Sequence, residues 1–151
     1  MVKQLDDNEE KSLPDHIGWR LWQASRAWQL VFVGAMQATA GHSWFSEARA
    51  GLMGHIPRGG IRQSALIERV ATTKQAVQQI LDGLEAEGIV ERIADPADGR
   101  GKYVRYTARG LQALRDGDRI KREIEKRYER KIGAERLAAL MDALRALDAK
   151  D

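Results

Sequence analysis

Between Thr72 and Lys102 the sequence gathers side chains suited to reading a polyanion. Gln75, Gln78 and Gln79 recur at three- and four-residue spacing, and an amide donates and accepts at once, as a paired contact to an adenine edge requires. The same amides suit a solvated helix surface or a phosphate, so spacing alone leaves those readings open. Lys74, the hydroxyls of Thr72 and Thr73 and the free backbone N–H groups of a helix start are placed to meet a phosphate. Further on, the acids Asp82, Glu85, Glu87, Glu91, Asp95 and Asp98 are opposed only by Arg92, after which Arg100, Lys102, Arg105 and Arg109 follow with no acid until Asp116. A charge run is commonly a solvated face, but a cationic cluster confined to a hairpin is better suited to phosphate contact.

A second set of residues could enclose a small molecule. All four tryptophans, Trp19, Trp22, Trp28 and Trp44, lie in the first third of the chain. Trp44 supplies an aromatic wall and His42 a donor near neutral pH, with Trp22 and His55 as further candidates. The competing reading makes Trp22 and Trp28 core or interface residues and His42 a structural histidine. Metal chemistry has little to work with, since His16, His42 and His55 have no short mutual spacing and there is no cysteine. Nor is there a nucleophile with an adjacent base, a phosphate loop or an isolated carboxylate pair, so neither an enzyme nor a cofactor is expected.

The elements that must position these residues fit one ordinary domain of 151 residues. No apolar stretch approaches the length of a membrane span, and the start lacks the pattern of an export signal, so a soluble, reducing cytoplasmic setting is expected, with a disordered leader at 1–13. The formal charge of +3 hides segregation: residues 1–15 carry −3, 16–60 carry +3, 61–110 carry +1 and 111–151 carry +2. From Pro14 to about Ala40 a seam of Ile17, Leu21, Ala24, Trp28, Val31, Ala35 and Ala38 predicts a helix, widened by Trp22, Phe32, Val33 and Met36. A final helix from about Ala134 to Ala149 carries Leu137, Leu140, Met141, Leu144 and Leu147. Two terminal helices with surplus apolar seams suggest a homodimer interface, the alternative being that they satisfy each other within one subunit.

Between them the pattern predicts a helix from Trp44 to about His55 capped by Ser43, a break at Pro57-Arg58-Gly59-Gly60, and a short helix from Ile61 to Val70. An amphipathic helix from Lys74 to Glu87 follows, with Thr73 as N-cap, Gly88 as stop and Val77, Ile80, Leu81 and Leu84 inward. The period then drops to two: residues 89–93 and 102–106 read as a hairpin with a long turn-rich tip at 95–101, and Thr107 caps a charged helix through about Ile132. A short helix, a tight turn, a polar-faced helix and a basic hairpin make a winged helix-turn-helix, whose second helix fits the major groove while the hairpin crosses the backbone into the minor groove.

Three stretches then carry a family resemblance: Leu84-Glu85-Ala86-Glu87-Gly88-Ile89-Val90-Glu91-Arg92, Asp95-Pro96-Ala97-Asp98-Gly99-Arg100 and Val104-Arg105-Tyr106-Thr107-Ala108-Arg109-Gly110. Together they resemble the hallmark region of the multiple-antibiotic-resistance regulator (MarR) family. The resemblance implies a mainly α fold with a small β-hairpin wing, forming a triangular dimer knit by its first and last helices. It implies helices for dimerisation at 14–40 and 111–151 and a winged helix-turn-helix at 41–110, within a single domain spanning 14–151. Thr73 to Gln79 would then lie on the recognition helix, Arg100 would enter the minor groove and Asp98 would brace it. The implied function is a ligand-responsive repressor that binds double-stranded DNA at a pseudo-palindromic operator and answers a small aromatic or phenolic effector. Departures are Ala71 where a turn glycine is usual, Ile67 where a small helix residue is usual, and Gly99 in place of a wing-tip arginine. Ala71 implies a turn without a left-handed residue or a strained one, and Gly99 shifts wing anchoring onto Arg100 and Lys102. From the residues alone, a winged-helix module that binds proteins instead of DNA is the alternative.

Overall fold

The computed structural model describes residues 15–148, so the expected leader at 1–13, Pro14 and the expected helix end at Ala149 lie outside the described residues. The element order is α1 (Ile17–Ala38), α2 (Glu47–Met53), β1 (Ile61–Arg62), α3 (Gln63–Arg69), α4 (Lys74–Ala86), β2 (Val90–Ala94), β3 (Lys102–Tyr106), α5 (Ala108–Ile132) and α6 (Ala134–Asp148). The described residues fall into two compact units, divided between Val31 and Phe32. None of the described helices is long and apolar enough to cross a membrane.

In the first unit the described chain is the greater part of α1. Its opening turn is capped by an imidazole, since the Trp19 backbone N–H donates to His16 Nδ1 at 3.3 Å. Trp19 and Trp22, three residues apart, stack with centroids 5.1 Å apart and planes 10° from parallel. Ile17, Leu21, Trp22, Leu30 and Val31 are exposed, as are Leu140, Met141, Leu144 and Leu147 on α6 in the second unit.

The core of the second unit is built from Met36, Leu66, Val77, Leu81, Leu84, Ile89, Val90 and Val104, all almost fully buried. The end of α1 joins it through Phe32, whose ring meets Phe45 edge to face at 5.6 Å. The small sheet is antiparallel in the order β1-β3-β2, with Arg92 opposite Val104 and Ala94 opposite Lys102.

Local chemistry explains where helices begin and end. Thr73 caps α4 by accepting from the Ala76 N–H at 3.1 Å, and Gly88 leaves that helix at φ +70°. Thr107 caps α5 by accepting from the Gly110 N–H at 3.0 Å. Gly110 is required there, because a Cβ would stand 2.0 Å from the Ile89 carbonyl oxygen. Tyr106 ends β3 with its ring buried and its hydroxyl donating to the carbonyls of Met53 at 3.0 Å and Ile56 at 3.3 Å.

Several boundaries differ from the sequence reading: the helices expected to end at His55, Val70 and Glu87 end at Met53, Arg69 and Ala86, and the strand expected to end at Ile93 runs to Ala94. The helix expected at Trp44 begins at Glu47, because Ser46, not Ser43, accepts from the Arg49 N–H at 3.2 Å while Trp44 and Phe45 turn inward. The helix expected from Ile61 begins at Gln63, because Ile61 and Arg62 pair instead with Val104 and Tyr103 as a third strand. That pairing follows a turn at Gly60, φ +90°, where Tyr103 and the Val104 carbonyl leave no room for a side chain. The first hairpin strand starts at Val90, since Ile89 N–H still bonds back to the Leu84 carbonyl at 2.9 Å. Finally, α1 stops at Ala38, where the Thr39 hydroxyl donates to the Ala35 carbonyl at 3.0 Å.

Candidate nucleic-acid interface

The α3–α4 corner is tight without a left-handed residue. Val70 leaves α3 in extended geometry, Thr72 N–H returns to the Val70 carbonyl at 2.7 Å, and among the described residues positive φ occurs only at glycine. Ala71 therefore takes the unstrained alternative of the two read from sequence. Beyond the corner, α4 buries Val77, Leu81 and Leu84 and turns Thr72, Thr73, Lys74, Gln75 and Gln79 to solvent, with Gln78 half-buried at the margin. Close seating of α2 on α4 uses Gly83, where a Cβ would lie 2.7 Å from Arg49 Nη2. Arg49 in turn donates to the Trp44 carbonyl at 2.7 Å.

The wing tip is a closed loop. Asp95 N–H donates to the Gly101 carbonyl and Gly99 N–H to the Asp95 carbonyl, each at 2.8 Å. The buried Asp95 carboxylate accepts from the Ala97 N–H at 2.8 Å and pairs with Arg62 Nε at 2.6 Å, so the residue that opens α3 also holds the base of the wing. At the tip Gly99 has φ +69°, and Asp98 Oδ1 accepts the Arg100 backbone N–H at 2.9 Å. Asp98 thus braces the backbone of Arg100 and leaves its guanidinium outward. Arg100 and Lys102 are exposed, and among the described residues neither forms an ion pair, nor does Lys74.

Two of the four clustered cations have other work. Arg105 pairs with Glu91 across the hairpin. Arg109 donates to the Glu87 carbonyl at the end of α4 and to the Gly41 carbonyl at 3.2 Å. On the acidic side, Arg92 is held by Asp82 and Glu85 of α4, and the hydrogen bond from Arg92 keeps the Glu85 carboxyl below its ordinary range. Arg62, Arg92 and Asp95 were not singled out as positioning residues from sequence. Their signal lies in opposite charges that only the fold brings together.

The candidate ligand residues are dispersed in character. His42 and Trp44 are buried side by side, their rings edge to face at 5.9 Å. Trp44 Nε1–H donates to the Gly41 carbonyl at 3.0 Å. His42 Nε2 lies 2.7 Å from Asp116 Oδ2. Since a carboxylate only accepts, Nε2 carries the proton, and this bond lowers the Asp116 pKa. The other nitrogen, Nδ1, is buried without a hydrogen bond. His55 is exposed, and Trp22 is exposed on the first unit. Asp116 had no place in the sequence reading of this group. An open groove of about 430 Å³ runs along α5, with Ala35, Ile120 and Ile124 as its apolar lining and Lys126, Arg127 and Arg130 as its cations. Among the described residues no three His, Asp or Glu side chains converge on a metal-sized site.

Residues 46–101 match the model of the MarR family. The transcriptional regulator HosA of Escherichia coli is 32% identical over 88 residues, 58% of this chain and 65% of the relative, so the match spans less than two thirds of that protein. The reduced form of MarR from E. coli superposes with a TM-score of 0.77 at 17% identity, covering 91% of this chain and all of that one. BpsR of Bordetella bronchiseptica, whose DNA binding is regulated by 6-hydroxynicotinic acid, superposes at 0.68 with 17% identity, covering 92% and 100%. The mainly α fold with a winged helix-turn-helix is that of these structures.

Proposed function

We propose that this chain is a member of the MarR family, a cytoplasmic, homodimeric transcriptional repressor that binds a pseudo-palindromic operator in double-stranded DNA. The observation that carries the reading is one outward surface with two parts. A polar face of α4 bearing Lys74, Gln75, Gln78 and Gln79 stands with a wing whose tip presents Arg100 and Lys102, neither in an ion pair among the described residues. In this reading α4 enters the major groove, with Thr72, Thr73 and Lys74 on phosphate and the three amides facing base edges. Arg100 enters the minor groove, Lys102 meets the backbone, and Asp98 fixes the turn that aims Arg100. A second copy buries the exposed apolar residues of α1 and α6 and presents the same surface twice.

The signal in this reading is a small aromatic acid or phenol that opens the segment holding His42 and Trp44, with His55 as a further contact. Two facts support it: His42 Nδ1 is buried without a partner, and a structure of the same fold, BpsR, is regulated by 6-hydroxynicotinic acid. Selection of bound sequences from random duplex DNA, repeated with a panel of aromatic acids and phenols, tests both halves. Enrichment of a two-fold-symmetric motif, lost with one member of the panel, is expected. Retention that is the same for every sequence and insensitive to salt would instead favour a protein-binding module.

A further inference from the structure

We propose that Arg92 and the two α4 carboxylates it spans, Asp82 and Glu85, form a brace that sets the recognition helix against the wing and masks the acidic end of that helix from DNA phosphates. The inference rests on the DNA-binding reading above. Arg92 lies on β2, an edge strand bonded only to β3. Its backbone N–H, which that edge leaves free, donates to Glu85 Oε2 at 3.0 Å. The guanidinium then closes on the same carboxylate, Nε to Oε2 at 3.3 Å and Nη2 to Oε1 at 3.2 Å, and reaches Asp82 one turn earlier. Backbone and side chain of one wing residue are thus fastened to one recognition-helix residue. The Arg92 side chain is only 14% exposed although those of Asp82 and Glu85 are 65% and 42% exposed.

Placement gives the brace its consequence. Asp82 follows Gln75 by seven residues and Gln79 by three, so it continues the outward face that would lie in the groove. Two carboxylates at that end would repel the phosphate backbone. Arg92 offsets one of the two charges and fixes the direction in which the other points. Ala94, two residues beyond Arg92 on β2, pairs with Lys102, so the strand that the brace holds also carries the base of the wing's cationic tip. Arg92 is accordingly a positioning residue, since it reaches DNA only through Glu85, Asp82 and the strand.

The test measures affinity of the full-length chain for a selected operator and for generic duplex, with a thermal melt for every variant. Arg92→Ala should weaken both affinities about tenfold, the size of a typical coupled charge group. Adding Asp82→Asn to Arg92→Ala should recover part of the loss, because one unmasked charge is removed. Destabilisation alone would give no such recovery. Arg92→Lys keeps the charge but cannot span both carboxylates, so it should lose less than Arg92→Ala; it carries the test if the alanine variant does not fold. Wild-type affinity in Arg92→Ala, or in Arg92→Lys where that variant carries the test, overturns the brace, as does the absence of recovery in the double variant. Failure of the unaltered chain to bind any duplex overturns the DNA-binding reading itself, a result distinguishable from these.

Discussion

Tyr106 occupies a position where a phenol must be fully satisfied to be tolerated. It is buried, and its one proton is shared between two carbonyls at the end of α2. Tyr106→Phe removes the donor to the Ile56 carbonyl and leaves the Met53 carbonyl with the Ile56 N–H at 3.1 Å, and should cost about 1–3 kcal/mol in urea unfolding. Burial also pushes the Tyr106 hydroxyl up to about 12 from an ordinary 10.0. Because the folded value is the higher one, this contribution to stability is complete below pH 10 and is lost as pH rises towards 12. Asp116 has the opposite sign. Its pKa is lowered mainly by the hydrogen bond from His42, so its contribution is present above the unfolded value of 3.8 and is lost as pH falls through the lower folded value. Asp116→Asn should weaken that acid dependence in a circular-dichroism titration. An unchanged acid transition would show that the pair adds nothing.

At the scale of elements, the wing and the helix starts are the parts most open to single changes. Gly99→Ala forces a side chain into φ +69° and should cost about 1–2 kcal/mol while displacing Arg100. Reduced operator affinity larger than the loss of stability is the expected result. Thr73→Ala removes the α4 cap and should cost about 1 kcal/mol. Those caps were legible in the sequence because they are local: Thr73, Gly88 and Thr107 each act within a few residues. The strand at Ile61 and Arg62 was not, because its partners, Val104 and Tyr103, lie some forty residues away. For the same reason the sequence could place Arg105 and Arg109 beside Arg100 and Lys102 but could not tell that Glu91 and the Glu87 carbonyl occupy the first two. Ser43 and Ser46 are chemically alike, and only the burial of Trp44 and Phe45 between them decides which one caps α2.

The whole molecule carries an exposed apolar surface and an outward-facing cationic one that a second copy would present twice. Leu140 and Leu144 are 46% and 37% exposed on α6, an arrangement that a second copy would cover. In the proposed dimer, Leu140→Glu with Leu144→Glu should give a monomer in sedimentation and remove operator affinity with it. A monomeric variant that binds as tightly as the unaltered chain would mean that the two surfaces are independent. The net charge of +3 is a poor guide to such a molecule, because it adds acids held against Arg62 and Arg92 to the outward-facing Lys74, Arg100 and Lys102 without regard to where each lies. Whether the wing tip meets DNA is decided by the salt dependence of operator binding, measured for the unaltered chain and for Arg100→Ala. The variant should keep its oligomeric state, bind more weakly and show a log–log salt slope shallower by about 0.9, one phosphate-equivalent contact. Equal affinity and equal slope would contradict it.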